Sequence, residues 1–341
     1  MKVVWHPDQK RHYPPHFLVN GVFEPNPEMP ARADRLLQAA VEAGCTPEAP
    51  EDCGLEPLAA VHTEAYLTFL QRAWERWARI SGAAPAVTPN IHPDRRDVGY
   101  PASVVAQAGY HMADASAPIA DGSWGSILQS ARTAVHGARL VLNGERAAYA
   151  LCRPPGHHAF ADMAGGFCYL NNNAIAAQEL RSRYDRVAIL DVDLHHGNGT
   201  QSIFYARDDV LTVSIHADPV RFYPFFWGYA GERGEGPGEG CNLNLPLPRG
   251  SGNDAFLDVL GEGIGRIQAF EPGALVVALG LDAFEGDPFG GLSVSTRGFE
   301  RIGRAIAAGL PLPTLLVQEG GYLCDALGDN LVAFLEGFSG A

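Results

Sequence analysis

The chain has 341 residues, of which 46% are apolar, with six cysteines and a formal net charge of −14 at pH 7. That length holds one large α/β domain or two smaller ones, and no apolar run approaches the ~20 residues of a membrane span. The acidic balance argues against nucleic acid as a partner. The scattered cysteines, with no Cys-x-x-Cys pair, argue against a disulfide framework and a cysteine zinc site, so reduced thiols in a cytoplasmic protein are expected. Met1–Pro7 lacks the long apolar stretch of a secretory signal.

In chain order, the short apolar run Lys2–Trp5 is expected to be the first strand. Helices follow at Ala31–Gly44, Glu64–Ile80 and Ser126–Asn143, where apolar residues recur every three or four positions. Strands are then expected at Ala147–Cys152, Val187–Asp191, Val210–Ile215, Ala274–Leu279 and Thr314–Gln318, and helices at Asn172–Arg183, Asp254–Phe270 and Thr296–Gly309. These strands are nearly unbroken runs of Val, Ile, Leu and Ala, as in strands buried on both faces. The pattern implies an α/β fold, an open and mainly parallel sheet with helices on both faces. Residues 1–341 read as a single domain. Its long Pro/Gly-rich loops, Val19–Pro30, Gly82–Pro101 and Tyr223–Gly240, are expected around a channel mouth or at a subunit interface.

In such sheets the chemistry gathers at the carboxyl ends of the strands. The strand Val187–Asp191 runs into Val192-Asp193-Leu194-His195-His196-Gly197. Residues two apart in an extended chain point the same way, so Asp193 and His195 can face one point. Asp282, after another strand, completes a set of two carboxylates and one imidazole, the ligand type of a catalytic metal with an open position. Taken alone, Asp282 is equally a turn former. Asp191 shares the alternation phase, so it stands either as a further ligand or as the partner of a histidine.

Arg153-Pro154-Pro155-Gly156-His157-His158 places two imidazoles on a rigid loop after a strand. A metal-activated water needs a base and a leaving amine needs an acid; imidazole serves both near neutral pH. Two imidazoles divide the work if different partners separate their protonation. Tyr322, after Glu319-Gly320-Gly321, is placed to donate to an oxyanion, or simply to pack over a glycine turn. Phe167, after Gly165-Gly166, is either a channel wall or a core aromatic. The run Arg221-Phe222-Tyr223-Pro224-Phe225-Phe226-Trp227 marks a binding surface or interface.

These motifs, in this order along most of the chain, resemble the arginase–deacetylase superfamily. Within it they are most similar to the bacterial acetylpolyamine amidohydrolases and histone-deacetylase-like amidohydrolases. The matching pieces are Pro154–His158, Gly165–Cys168, Asp191–Gly199, Leu281-Asp282 with Asp287-Pro288, and Gly320–Tyr322. The resemblance implies zinc on Asp193, His195 and Asp282, and a ligand set this hard also accepts Fe(II) or Mn(II). It makes His158 the general base and acid, His157 an electrostatic partner oriented by Asp191, and Tyr322 the residue that polarises the carbonyl. Gly166, Phe167 and Tyr223 would line the substrate channel, and Arg32 would stand at an inner acetate exit. A structural potassium ion would fall on Asp191, Asp193, His195, Ser214 and Ile215, and a second monovalent site near Phe204, Arg207 and Val210. The substrate would be a small cationic acetylated amine, and the protein a homodimer.

Two departures stand out. Asn198 occupies the place where many eukaryotic relatives carry Asp, which gives His158 a neutral partner. Val105 falls where a polyamine-binding carboxylate is expected, leaving Asp94, Asp97 and Asp114 as substitutes. The competing readings are a broad protein lysine deacetylase, an arginase-like ureohydrolase and an inactive metal-binding sensor.

Overall fold

The computed structural model describes residues 1–340. Its strands are β1 (Lys2–Val4), β2 (His16–Val19), β3 (Val22–Pro25), β4 (Thr46–Glu48), β5 (Ala147–Ala150), β6 (Val187–Asp191), β7 (Val210–Ala217), β8 (Asn242–Leu247), β9 (Ala274–Leu279) and β10 (Thr314–Gln318). Its helices are α1 (Pro30–Glu42), α2 (Glu56–Ala59), α3 (Glu64–Trp77), α4 (Val104–His111), α5 (Ser123–Leu142), α6 (Asn172–Leu180), α7 (Asn198–Phe204), α8 (Asn253–Phe270), α9 (Thr296–Gly309) and α10 (Leu327–Ser339).

Eight strands form one sheet in the order β4-β1-β5-β10-β9-β6-β7-β8, and every pairing in it is parallel. The expected α/β architecture is therefore present. Alternate strand residues serve opposite faces. Ala188, Leu190, Leu275, Val277 and Leu316 pack toward one apolar cluster with residues of α1, α8, α9 and α10. Val187, Ile189, Val276, Leu315 and Val317 pack toward another with residues of α5 and α6. This two-sided burial explains why the strand sequences show no polar alternation. No helix among the described residues is long and apolar enough to cross a membrane.

Several elements differ from expectation. The Ala147–Cys152 strand stops at Ala150, ahead of the two prolines that cannot donate to a ladder. The Val210–Ile215 strand runs on to Ala217 through its pairing with β8. β8 itself, Asn-Leu-Asn-Leu-Pro-Leu, carries a proline that an edge strand tolerates. Within the loop expected at Val19–Pro30, β2 and β3 form an antiparallel hairpin through Asn20 and Gly21, both at positive φ. Asn-Gly between apolar residues is the sequence signal for that turn.

Candidate active site

Four adjacent strands, β5, β10, β9 and β6, deliver the unusual polar residues to one edge of the sheet. Asp193 and His195 follow β6, Asp282 follows β9, Glu319 and Tyr322 follow β10, and His157 and His158 follow β5. His195 Nδ1 lies 3.0 Å from Asp282 Oδ2 and 3.3 Å from Asp193 Oδ1. One potential ligand atom from each of the three falls within 4.8 Å of the others. Backbone donors fix both carboxylates: Gly320 N–H donates to Asp193 Oδ2 at 2.7 Å, and Leu194 N–H to Asp282 Oδ1 at 2.9 Å. A Cβ at Gly320 would overlap both carboxylates, so this turn requires glycine.

Asp193 and Asp282 are fully buried, and neither pairs with a lysine or arginine among the described residues. Burial alone would push the His195 imidazole down; the two flanking carboxylates outweigh it and raise it to about 9. Two buried carboxylates sharing a single imidazole need positive charge. The donor set and its burial fit a divalent cation.

A second cluster, His157, Cys168 and Glu319, also brings ligand-type atoms within 4.8 Å. Glu319 is already satisfied there: it accepts from Gly156 N–H at 2.7 Å, His157 N–H at 3.0 Å and Asn173 Nδ2 at 2.7 Å. Burial raises its carboxyl to about 7 and pushes the Cys168 thiol up as well. Glu319 is a brace that ties the β10 end to the histidine loop.

The two imidazoles lie 4.0 Å apart, centroid to centroid, with different partners. His157 Nδ1 is 2.9 Å from Asp191 Oδ2. Burial opposes its charge, but Asp193, Asp191 and Glu319 raise it well above the ordinary histidine value. His158 Nδ1 donates to Asn198 Oδ1 at 2.7 Å. Burial, then the charges of His157 and His195, hold it well below the ordinary value. The different partners therefore push the two imidazoles in opposite directions, His157 toward its charged form and His158 toward its neutral one.

Tyr322 N–H donates to Asp287 Oδ2 at 2.9 Å, and its ring packs against Phe289 and Phe167 at centroid distances of 4.6 and 5.9 Å. Burial pushes the phenol well above its usual value, so it keeps its proton. The Arg32 guanidinium lies 4.9 Å from the Tyr322 ring centroid and donates to the carbonyls of Gly321 and Glu319 at 2.6 and 2.8 Å. It pairs with fully buried Glu28, 2.7 Å away, a carboxylate shared with Arg153 at 2.9 Å.

Above this floor is a pocket of about 760 Å³ whose lining includes His157, His158, Asp193, His195, Gly166, Phe167, Tyr223 and Tyr322. A side chain at Gly166 would overlap His158 and crowd the Tyr223 hydroxyl. Tyr223 O–H donates to Asp114 Oδ2 at 2.7 Å. Of the three acidic substitutes only Asp114 reaches the lining; Asp94 and Asp97 do not. The Gly82–Pro101 loop contributes no lining residue, whereas the β2–β3 hairpin supplies Phe17–Asn20 and the Tyr223–Gly240 loop supplies residues as far as Trp227. Asp191 and Ser214 sit opposite each other in the β6–β7 register, with Ile215 next along β7.

Some residues in or beside the pocket carried no individual role from sequence. Phe289 had no signal beyond its aromatic type. Phe222 stacks on His195, with centroids 5.1 Å apart and planes at 20°; it lies in the aromatic run, which gives no hint of that contact. Glu232 was also missed. Its Oε2 accepts from Gln201 Nε2 at 2.7 Å, Gly228 N–H at 2.9 Å and Asn244 Nδ2 at 3.1 Å, anchoring the aromatic loop to the sheet.

The histone deacetylase domain model matches residues 26–338. The chain is 47% identical to the acetylpolyamine amidohydrolase of Burkholderia pseudomallei, over 99% of this chain and 98% of that one. It is also 47% identical to acetylpolyamine amidohydrolase 1 of Pseudomonas aeruginosa, over 100% and 99%. The crystal structure of the acetylpolyamine aminohydrolase from Burkholderia pseudomallei superposes with a TM-score of 0.96 at 46% identity, covering 99% of this chain and 98% of that one.

Proposed function

The chain belongs to the histone deacetylase family, a family of metal-dependent amide hydrolases, and on that premise we propose that it removes acetyl groups from small primary amines, acetylpolyamines and acetyl-lysine-like compounds. That membership sets aside the ureohydrolase and silent-sensor readings. One observation carries the proposal: the buried Asp193–His195–Asp282 cluster reaches the floor of the pocket through Asp193 and His195, beside two imidazoles that have different hydrogen-bond partners.

Asp193, His195 and Asp282 would hold the metal, zinc in the first instance with Fe(II) or Mn(II) as alternatives. Such an ion activates water and polarises a carbonyl. His158, neutral and oriented through its Nδ1 by Asn198, keeps Nε2 free to take the proton of the attacking water and pass it to the departing amine. His157, held charged by Asp191, supplies a fixed positive field beside the reacting carbon. The Tyr322 hydroxyl donates to the carbonyl oxygen as negative charge develops there. Gly166, Phe167 and Tyr223 wall the channel around the acyl-amine chain. Arg32, against the Tyr322 ring, is our candidate for the inner acetate exit. Asp191, Asp193, His195, Ser214 and Ile215 remain the proposed potassium site, and Phe204, Arg207 and Val210 the second monovalent site.

We take residues 1–341 as one catalytic domain. Exposed apolar side chains on the hairpin and the aromatic loop, Val22 at 58%, Phe23 at 64% and Phe226 at 84%, support a homodimer that crowds the entrance.

The test is a substrate profile of the metal-loaded enzyme. Slender acetylated amines should show higher kcat/KM than acetylated histone. Efficient deacetylation of intact histone would replace this reading with a broad protein lysine deacetylase.

A further inference from the structure

The charge at the pocket mouth has the opposite sign to the charge of the molecule. Apart from histidines, the basic side chains in the lining are Arg221 and Arg249, both exposed. Neither makes an ion pair among the described residues, although the chain as a whole is strongly acidic. Arg249 is held in place: its guanidinium lies 5.5 Å from the Phe222 centroid and donates to Gly290 O at 3.3 Å. Phe222 in turn stacks on His195. The guanidinium is thus one aromatic layer from the ligand cluster, within reach of the far end of a chain of several methylenes.

The lining carboxylates are Asp193, in the ligand cluster, and Asp114. Asp114 is already satisfied, accepting from Tyr223 O–H at 2.7 Å, Ser116 N–H at 2.8 Å and Gly166 N–H at 3.2 Å. Its acceptor sites are largely filled, which leaves little to attract an ammonium group. A guanidinium without an acidic partner offers a planar fork that matches a carboxylate. At contact distance such local groups outweigh the distant net charge, which salt screens beyond ~8 Å.

We propose that Arg221 and Arg249 select acetylated amines whose far end carries a carboxylate, the class that includes acetylated ω-amino acids and free acetyl-lysine. This inference rests on the small-acetamide reading above and narrows it, placing acetylpolyamines last within that class and departing from the cationic substrate that the sequence resemblance implies.

The experiment uses a matched set of substrates with the metal-loaded enzyme: the acetamides of aminohexanoate (anionic), pentylamine (neutral) and a pentanediamine (cationic), together with free acetyl-lysine. The expected kcat/KM order is anionic, neutral, cationic. Arg221→Gln and Arg249→Gln should each shrink the anionic-to-neutral ratio by roughly two- to fivefold, the size of an exposed ion pair. Arg221→Lys and Arg249→Lys should keep most of that ratio. If all the substrates turn over and the cationic one leads, or if the double Gln variant keeps the wild-type ratio, the arginine inference is overturned while the deacetylase reading stands. If none is hydrolysed, the small-acetamide reading falls and takes this inference with it.

Discussion

At the floor of the pocket, Asp193, Asp282 and Glu319 are fully buried, and each carboxylate is fixed by donors from neighbouring strand ends. At the rim, Phe225 and Phe226 stand 48% and 84% exposed, and the loop that carries them is tied to the sheet through Glu232. The floor is built from continuations of a rigid parallel sheet, so small displacements there disturb several hydrogen bonds at once. The rim is a hairpin and a loop, where side chains can change with little effect on the frame. The function proposed above therefore assigns chemistry to the first region and substrate choice to the second.

The strongest way to break this division is to remove a ligand. Asp193→Ala, His195→Ala and Asp282→Ala should each abolish metal binding and reduce activity to background. Elemental analysis that finds full occupancy in Asp282→Ala would remove that residue from the site.

A smaller loss is expected when the proton carriers alone are changed. His158→Ala should lower kcat by about 10²–10⁴-fold and Tyr322→Phe by about 10²–10³-fold, with metal content retained. A Tyr322→Phe enzyme with near-normal kcat would sink its carbonyl-polarising role.

Acid should loosen the frame beneath the floor before it touches the rim. Burial pushes the fully buried His62 down to about 4 and, with Arg153 nearby, His12 down to about 3. His62 Nε2 accepts from the N–H of Asn171, the residue that caps α6 and holds Ala159 O, so protonation would remove that bond. When the folded pKa is lowered, the unfolded chain takes the proton first. Stability is full above the unfolded value near 6.5 and falls as pH drops toward the folded values, by ~3 kcal/mol for His62 and ~5 kcal/mol for His12 if each span is crossed in full. The melting temperature should decline from about pH 6.5 toward pH 4, the window those values set. A flat profile over that range would contradict the neutral, hydrogen-bonded assignment.

The mildest effect should come from the rim. Glu232→Ala releases three hydrogen bonds from the aromatic loop and should raise KM roughly three- to tenfold with little change in kcat, in line with the ~1 kcal/mol that one net hydrogen bond contributes, because the loop only positions the rim. A fall in kcat comparable to that of His158→Ala would erase the distinction between floor and rim.

Much of this architecture was legible in the chain. Val187–Asp191, Ala274–Leu279 and Thr314–Gln318 form strands with the expected bounds, because runs of branched and aliphatic residues suit a strand buried on both faces. The hairpin was legible too, through Asn20-Gly21, but it was absorbed into a loop. α10 carries Leu327, Leu331, Phe334 and Leu335 at helical spacing, a legible pattern that is absent from the expected helices. β8 was hidden by its asparagines and proline.

Strand and helix periodicity thus determined the fold class, and residue types at strand ends determined the Asp193–His195 alternation and the paired imidazoles, since periodicity and side-chain chemistry are local properties; the place of Asp282 beside them was left to the fold. Which partner each histidine receives, which loops line the pocket and which charges face its mouth were decided by the strand order. Only that order brings β5, β10, β9 and β6 side by side. It sets Asn198 against His158 and Asp191 against His157, keeps the Gly82–Pro101 loop out of the lining, and leaves Arg221 and Arg249 unpaired at the entrance. Those contacts join residues far apart in sequence, and their energies depend on distance and burial in three dimensions, which no local pattern encodes.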